Sequence, residues 1–297
     1  MSWEFKLLQE PYGGTSEGPV WDGSGVLFTQ IDACRILRYC PETGSFSVYR
    51  SDTNYANGLM MDSKRRLHAC EGGTRRVVCY EPDQPTKVLA DSFEGHRLNI
   101  PNDLVIDRQG RIWFTDPFYE GAAGPFSYDR VNQDLNHESV YRLDPSPDGS
   151  WTIQRMTFDT TRPNGLLFSE DEKTLYVAQS GRRGDEKREL RAYPVDDMTE
   201  PNSYHLLHDF GDNRGVDGMC LDVDGNIIAT AGWDNGGPGP SIYVFAPNGE
   251  AIERHPVPAK RPTNCTFGGE DLSMLYVTST EGHFFCTRTD RRGLALL

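Results

Sequence analysis

The 297-residue chain contains no run approaching the roughly 18 consecutive apolar residues of a membrane-spanning helix. It also lacks a Cys-x-x-Cys pair, and its seven cysteines (Cys34, Cys40, Cys70, Cys79, Cys220, Cys265 and Cys286) are odd in number and scattered. That pattern argues against zinc or dithiol redox chemistry and reads as buried, reduced thiols. Positive charge is scarce: 30 Lys and Arg stand against 44 Asp and Glu, a formal charge of -14. Such a chain is a poor partner for nucleic acid or an anionic membrane. The longest basic stretch, residues 181–188, carries its own acids and reads as a solvated loop. Residues 1–10 hold charges where a signal peptide needs an apolar stretch. The expectation is a soluble, cytoplasmic protein. Seven histidines show no metal-ligand spacing, and no long stretch carries helical periodicity.

What the chain does have is a repeat. Six segments share one rhythm: a polar anchor, a small or acidic residue, an apolar pair, a turn and a β-rich run. The anchors are Glu17, Asn57, Asn102, Asn164, Asp217 and Asn264, and successive ones fall 40 to 62 residues apart. That spacing suits the roughly 40–50 residues of a four-stranded propeller blade. Residues 107–110 and 222–225 read as hairpin turns, with Gly110 and Gly225 supplying positive φ. Short β-branched and aromatic runs follow, such as residues 112–115 and 175–178. The class is therefore all-β, and six repeats predict a six-bladed β-propeller over residues 1–297 as one domain. A strand at residues 3–8 is expected to join the last blade and close the ring. The Gly- and Pro-rich segment 117–130 is expected to lie over a channel mouth.

In a propeller the innermost strands line the central channel, so six anchors in register bring two carboxylates and four amides toward one mouth. With no His or Cys among them the donors are hard oxygens, suited to Ca²⁺, Mg²⁺ or Mn²⁺. The alternative is that Asn-Gly and Asp-Gly are turn formers and the anchors merely a polar lining.

The chain resembles the SMP-30/gluconolactonase/LRE (regucalcin-like) family of six-bladed propeller lactonases over essentially its whole length. The resemblance is carried by Ser16-Glu-Gly-Pro-Val-Trp21, Arg97-Leu-Asn-Ile-Pro-Asn-Asp-Leu104, Ile112-Trp-Phe-Thr-Asp-Pro117, Arg162-Pro-Asn-Gly-Leu166 and Val216-Asp-Gly-Met219. The second of these looks more like microbial gluconolactonases than animal regucalcin. The resemblance implies hydrolysis of a small sugar-acid lactone at one divalent metal ion, Ca²⁺ first, with Zn²⁺, Mg²⁺ or Mn²⁺ as alternatives. It implies Glu17, Asn164 and Asp217 as ligands, with Asn102 a fourth ligand or a substrate contact. Some relatives cleave organophosphorus esters instead, and a non-catalytic propeller platform is the third reading.

Lactone opening needs a polarised carbonyl, an activated water and a stabilised oxyanion. Asn102 is the candidate oxyanion donor, and Asp217 the base or nucleophile, with Asp103 and Asp116 in reserve. Asn102, Arg97, Asp116 and Tyr119 are the candidate substrate contacts. Animal members place an Arg two residues before the channel Asn, where this chain has Ile100; Arg97 is the nearest upstream Arg, and a surface or inter-blade ion pair is its alternative role. Trp113, Phe118 and Trp233 join Tyr119 as a possible substrate wall or as packing.

Overall fold

A computed structural model describes residues 2–82 and 84–294. Each blade begins on an innermost strand: Ser16–Trp21, Ala56–Met61, Leu104–Ile106, Pro163–Phe168, Val216–Leu221 or Pro262–Gly268. From there it meanders outward through three antiparallel neighbours, giving six four-stranded sheets among the described residues. The innermost strands touch in sequence around a closed ring, the last meeting the first. The fold is a six-bladed β-propeller.

Strand alternation explains why the ring holds together. A blade sandwiched between two others buries both faces, so its second strand is buried along nearly its whole length. Ile227 packs toward the fourth blade, with Leu190 and Tyr176, whereas Ile228 packs toward the sixth, with Leu275 and Phe267. The same division separates Leu27 from Phe28 and Phe114 from Trp113. Six apolar clusters result, one at each blade interface. The outermost strands lose this constraint; Ser45–Ser51 leaves Val48 and Tyr49 exposed.

Ring closure follows the expected plan with a shifted boundary. Strand Lys6–Gln9 completes the sixth sheet by pairing with Phe284–Arg288. Trp3 lies outside it because its indole is worth more as packing. It stacks on His255 at 3.9 Å between centroids and joins the apolar cluster between blades five and six. The hairpin turns form as expected, with Gly110 and Gly225 at φ near +80°. No helix among the described residues is long and apolar enough to cross a membrane.

Candidate active site

Five of the six anchors lie inside strands rather than in turns, and Asn102 lies just ahead of Leu104–Ile106. Five of the six innermost strands slip register against their neighbours: between Glu17 and Val20, Ala56 and Leu59, Pro163 and Leu166, Val216 and Met219, and Pro262 and Cys265. A bulge re-aims the side chain it carries, and these bulges hold or border Glu17, Asn57, Asn164, Asp217 and Asn264. The following glycine serves close packing. A Cβ on Gly18 would meet the Asn57 carbonyl, one on Gly165 the Asp217 carbonyl, and one on Gly218 the Asn264 side chain. On Gly58 it would lie 2.5 Å from Asp103 Oδ1. The repeated anchor-Gly pair thus lets successive channel strands approach closely.

Bulging costs ladder hydrogen bonds, and a buried orphan group costs about 1–3 kcal/mol. A buried threonine on the second strand bonds the backbone at an anchor or its neighbour in four blades, the unbulged third among them. Thr29 Oγ1 donates to Asn57 O at 3.0 Å. Thr115 Oγ1 accepts from Asp103 N at 3.1 Å, and its carbonyl accepts from Asn102 N at 2.9 Å. Thr230 Oγ1 accepts from Gly218 N at 3.1 Å, and Thr278 Oγ1 from Asn264 N at 3.2 Å. The anchors therefore sit on braced backbone.

Their electrostatics are those of crowded carboxylates. Burial drives Glu17 well above the usual carboxylate range, and the charges of Asp217 and Asp103 push it further. Burial also raises Asp103, to about 7, although Leu104 N and Asn264 Nδ2 donate to it. Asp217 is raised by burial but restrained by Arg214, Arg182 and Arg261 and by the Asn164 amide. Arg214 pairs directly with Asp217 and is itself fixed to the carbonyls of Gly232 and Pro262 at 3.1 and 2.9 Å.

Two cavities border this polar ring. One of about 220 Å³ is bordered by Tyr119, Asn164, Asp217 and Trp233 with several arginines. The other, about 510 Å³, runs down the channel between Leu59, Met61, Leu104, Leu167, Met219 and Leu221, with Asp103 and Asn264 at its edge. The apolar floor explains the rise of the carboxylates. The smaller cavity, at about 220 Å³, gathers the charged side chains and is below the ~300–1,000 Å³ of drug-sized ligand sites.

The SMP-30/Gluconolactonase/LRE-like region matches residues 15–281. This chain belongs to that family. It is 32% identical over 290 residues to a gluconolactonase of Zymomonas mobilis, covering 89% of this chain and 76% of that one. A 6-deoxy-6-sulfogluconolactonase of Pseudomonas putida is 30% identical, covering 89% and 82%. The solved structure of a gluconolactonase from Xanthomonas campestris superposes with a TM-score of 0.79 at 30% identity, over 97% of this chain and 90% of that one.

Within this family member, Glu17, Asn164 and Asp217 gather with Asp103, Asn264 and Arg214 about the polar ring. Asn102 is buried beside them, its carbonyl accepting from Gly58 N at 2.8 Å. Tyr119 reaches the cavity from segment 117–130. Its hydroxyl donates to Arg162 O at 3.2 Å and accepts from Asn164 Nδ2 at 3.3 Å. Asp116 lies fully buried at the end of Ile112–Asp116, receiving Asn99 N at 2.8 Å, and does not border the cavity. Arg97 sits on the exposed outer strand His96–Arg97, its guanidinium donating to Thr74 O at 2.6 Å, and is not brought to the mouth. Trp113 and Phe118 are core residues, whereas Trp233 borders the cavity. Residues 181–188 are largely exposed, yet Arg182 reaches back over the Tyr119 ring at 4.4 Å.

A divalent cation fits this donor set. Among the described residues no three His, Cys, Asp or Glu side chains form a ready ligand group. Ligation would draw on amide oxygens beside Glu17 and Asp217, which is hard-oxygen chemistry. Burial raises all three carboxylates, and Asp217 pushes Glu17 and Asp103 further, a balance that a bound positive charge would relieve.

Proposed function

We propose that this protein is a divalent-cation-dependent lactonase that opens the ring of a small sugar-acid lactone. One observation carries the reading: buried Glu17 and half-buried Asp103 and Asp217 converge at the channel mouth, with Asp217 on the border of a small cavity. A scaffold has no use for that costly arrangement. Glu17, Asn164 and Asp217, with Asn102, would hold the cation, Ca²⁺ before Zn²⁺, Mg²⁺ or Mn²⁺ on hard-oxygen grounds. When bound, it supplies Lewis acidity toward the lactone carbonyl.

The remaining chemistry falls to the chain's own groups. Asp217, aimed by Arg214, accepts a proton from the attacking water as its oxygen bonds to the carbonyl carbon. Asn102 donates an amide N–H toward the oxyanion. The ring C–O bond then breaks, and the proton held by Asp217 passes to the departing alkoxide. Tyr119 and Trp233 shape the wall, and the apolar channel below keeps bulk water to one side. The seven cysteines stand as free thiols, which supports a reducing, cytoplasmic setting. A continuous ring of blade contacts supports one domain over residues 1–297.

The family relatives named above differ at the sugar carbon remote from the carbonyl, a hydroxyl in one substrate name and a sulfonate in the other. The test is lactone hydrolysis, followed by acid release after chelation and single-ion restoration, with D-glucono-1,5-lactone leading the panel and spontaneous opening subtracted. Ion-restored turnover is expected. Turnover of phosphotriesters but no lactone, or of nothing despite measured ion binding, would overturn the proposal.

A further inference from the structure

The mouth cavity is basic in a protein of formal charge -14. Arg182, Arg188, Arg214 and Arg261 all border it, against the single carboxylate of Asp217. Arg214 is committed to Asp217. The others are not committed to any acid: among the described residues, Arg182 and Arg261 make no ion pair. Arg188 donates to the carbonyls of Gly211 and Arg183 at 3.3 and 3.0 Å. Arg182 is steadied by the face of Tyr119, a contact that leaves its N–H groups free to donate outward.

Arg182 and Arg261 lower the Asp217 carboxyl through space without pairing with it, so their donor groups are not taken up by the ring carboxylates. A dication held at Glu17 and Asp217 would make the local balance still more positive, and like charges repel unless an anion lies between them. Depth points the same way. Asp217 and Arg214 are half-buried at the reacting end, whereas Arg182 and Arg261 are exposed at the entrance. A group bound there lies away from the reacting carbonyl. A neutral lactone would leave those three arginines facing nothing.

We propose that the substrate is a sugar lactone bearing an oxyanion (carboxylate, sulfonate or phosphate) on the carbon remote from its carbonyl, received by Arg182, Arg188 and Arg261. This rests on the lactonase reading for the carbonyl end. The shared chemistry is a tetrahedral or planar oxyanion taking charge-assisted hydrogen bonds from guanidinium groups.

The test has two arms. In the first, kcat/KM is measured for D-glucono-1,5-lactone, its 6-phospho and 6-deoxy-6-sulfo forms, and a uronate-derived 1,5-lactone carrying a 6-carboxylate. The parent is compared with Arg182→Ala and Arg261→Ala. The parent should prefer an anionic form, the preferred form identifying the source, and each variant should reduce the anionic-to-neutral ratio by roughly tenfold or more. In the second, calorimetry compares 1,5-anhydro-D-glucitol with its 6-phosphate, neither having a carbonyl to hydrolyse, and inorganic phosphate alone. Binding should require sugar and phosphate together and weaken in both variants.

A parent with no anion preference, variants that lower every substrate by the same factor, or phosphate binding as tightly as the sugar phosphate would each overturn the proposal. Arginine-dependent binding of the sugar phosphate without hydrolysis of any lactone would instead overturn the lactonase reading and leave oxyanion recognition standing.

Discussion

Asp103 offers a direct measurement of how much the ring carboxylates strain the fold. Its carboxyl rises from the usual 3.8 to about 7, chiefly through burial. A carboxyl raised on folding holds its proton more tightly in the native state. Its contribution to stability is therefore complete below pH 3.8 and is lost as pH rises through about 7. Between pH 5 and 8 that linkage amounts to about 2–3 kcal/mol. In a chain of this size it corresponds to about 5 °C in Tm. Asp103→Asn removes the titration and keeps the shape. Calorimetric melts of chelated parent and variant at pH 5, 6.5 and 8 read the effect of the Asp103 charge, its push on Glu17 included. The variant should gain on the parent by about 5 °C in going from pH 5 to pH 8. Saturating Ca²⁺ should shrink that gain by stabilising the parent's ionised carboxylates. A difference between the two proteins that stays constant with pH would refute the account of a crowded, desolvated ring.

Other outcomes follow from the same geometry. Asp217→Asn keeps an oxygen ligand but removes the proton acceptor, so turnover should fall by at least ~100-fold with the circular dichroism spectrum intact; parent-like rates would take Asp217 out of the chemistry. Glu17→Gln and Asn164→Ala should both weaken ion affinity in calorimetric titration, and two parent-like isotherms would displace the proposed ion site. Gly165→Ala pushes a methyl into the Asp217 carbonyl, so stability should drop by about 1–3 kcal/mol in urea unfolding; an unchanged midpoint would mean that the channel strands are not closely packed there.

The propeller was legible because a repeat writes the same local rule six times, and register survives where single motifs are ambiguous. The repeat singled out six anchors together, since the fold brings equivalent positions to equivalent places, whereas the family resemblance alone picked Glu17, Asn164 and Asp217 out of the six. The glycines beside them were open to a turn reading because one Asn-Gly cannot distinguish a turn from a close inter-strand approach. The bracing threonines had a signal that went unused: Thr29, Thr115, Thr230 and Thr278 recur at the same place on the second strand. Arg214 and Arg261 had none. They lie outside the repeat pattern and meet only when the ring closes. Asp103, next to an anchor, stood in reserve with turn hydrogen bonding or capping as its alternative role; the structure sets it half-buried just ahead of Leu104–Ile106, near enough to Glu17 to raise that carboxyl. Arg97 was singled out by sequence proximity, and the outer hairpin carries it off in space.

Arg214 ties the two halves of the site together, and its replacement separates orientation from mere presence. Its guanidinium lowers the Asp217 carboxyl against the burial that raises it, while two carbonyls from neighbouring blades hold it in place. Removing that charge in Arg214→Gln leaves burial less opposed, so the Asp217 pKa rises further. A base that holds its proton more tightly needs a higher pH to work. The acid limb of the kcat/KM profile should therefore move to higher pH, with the largest losses on the acid side and partial recovery as pH increases. Arg214→Lys retains the charge without the planar fork and should keep the limb near its parent position while lowering the plateau. A uniform loss at every pH in Arg214→Gln would mean that Arg214 only props the bulge. It would also leave Asp217 without its role as the group whose ionisation governs the rate, since no cation so close could be removed without moving the titration of the working base.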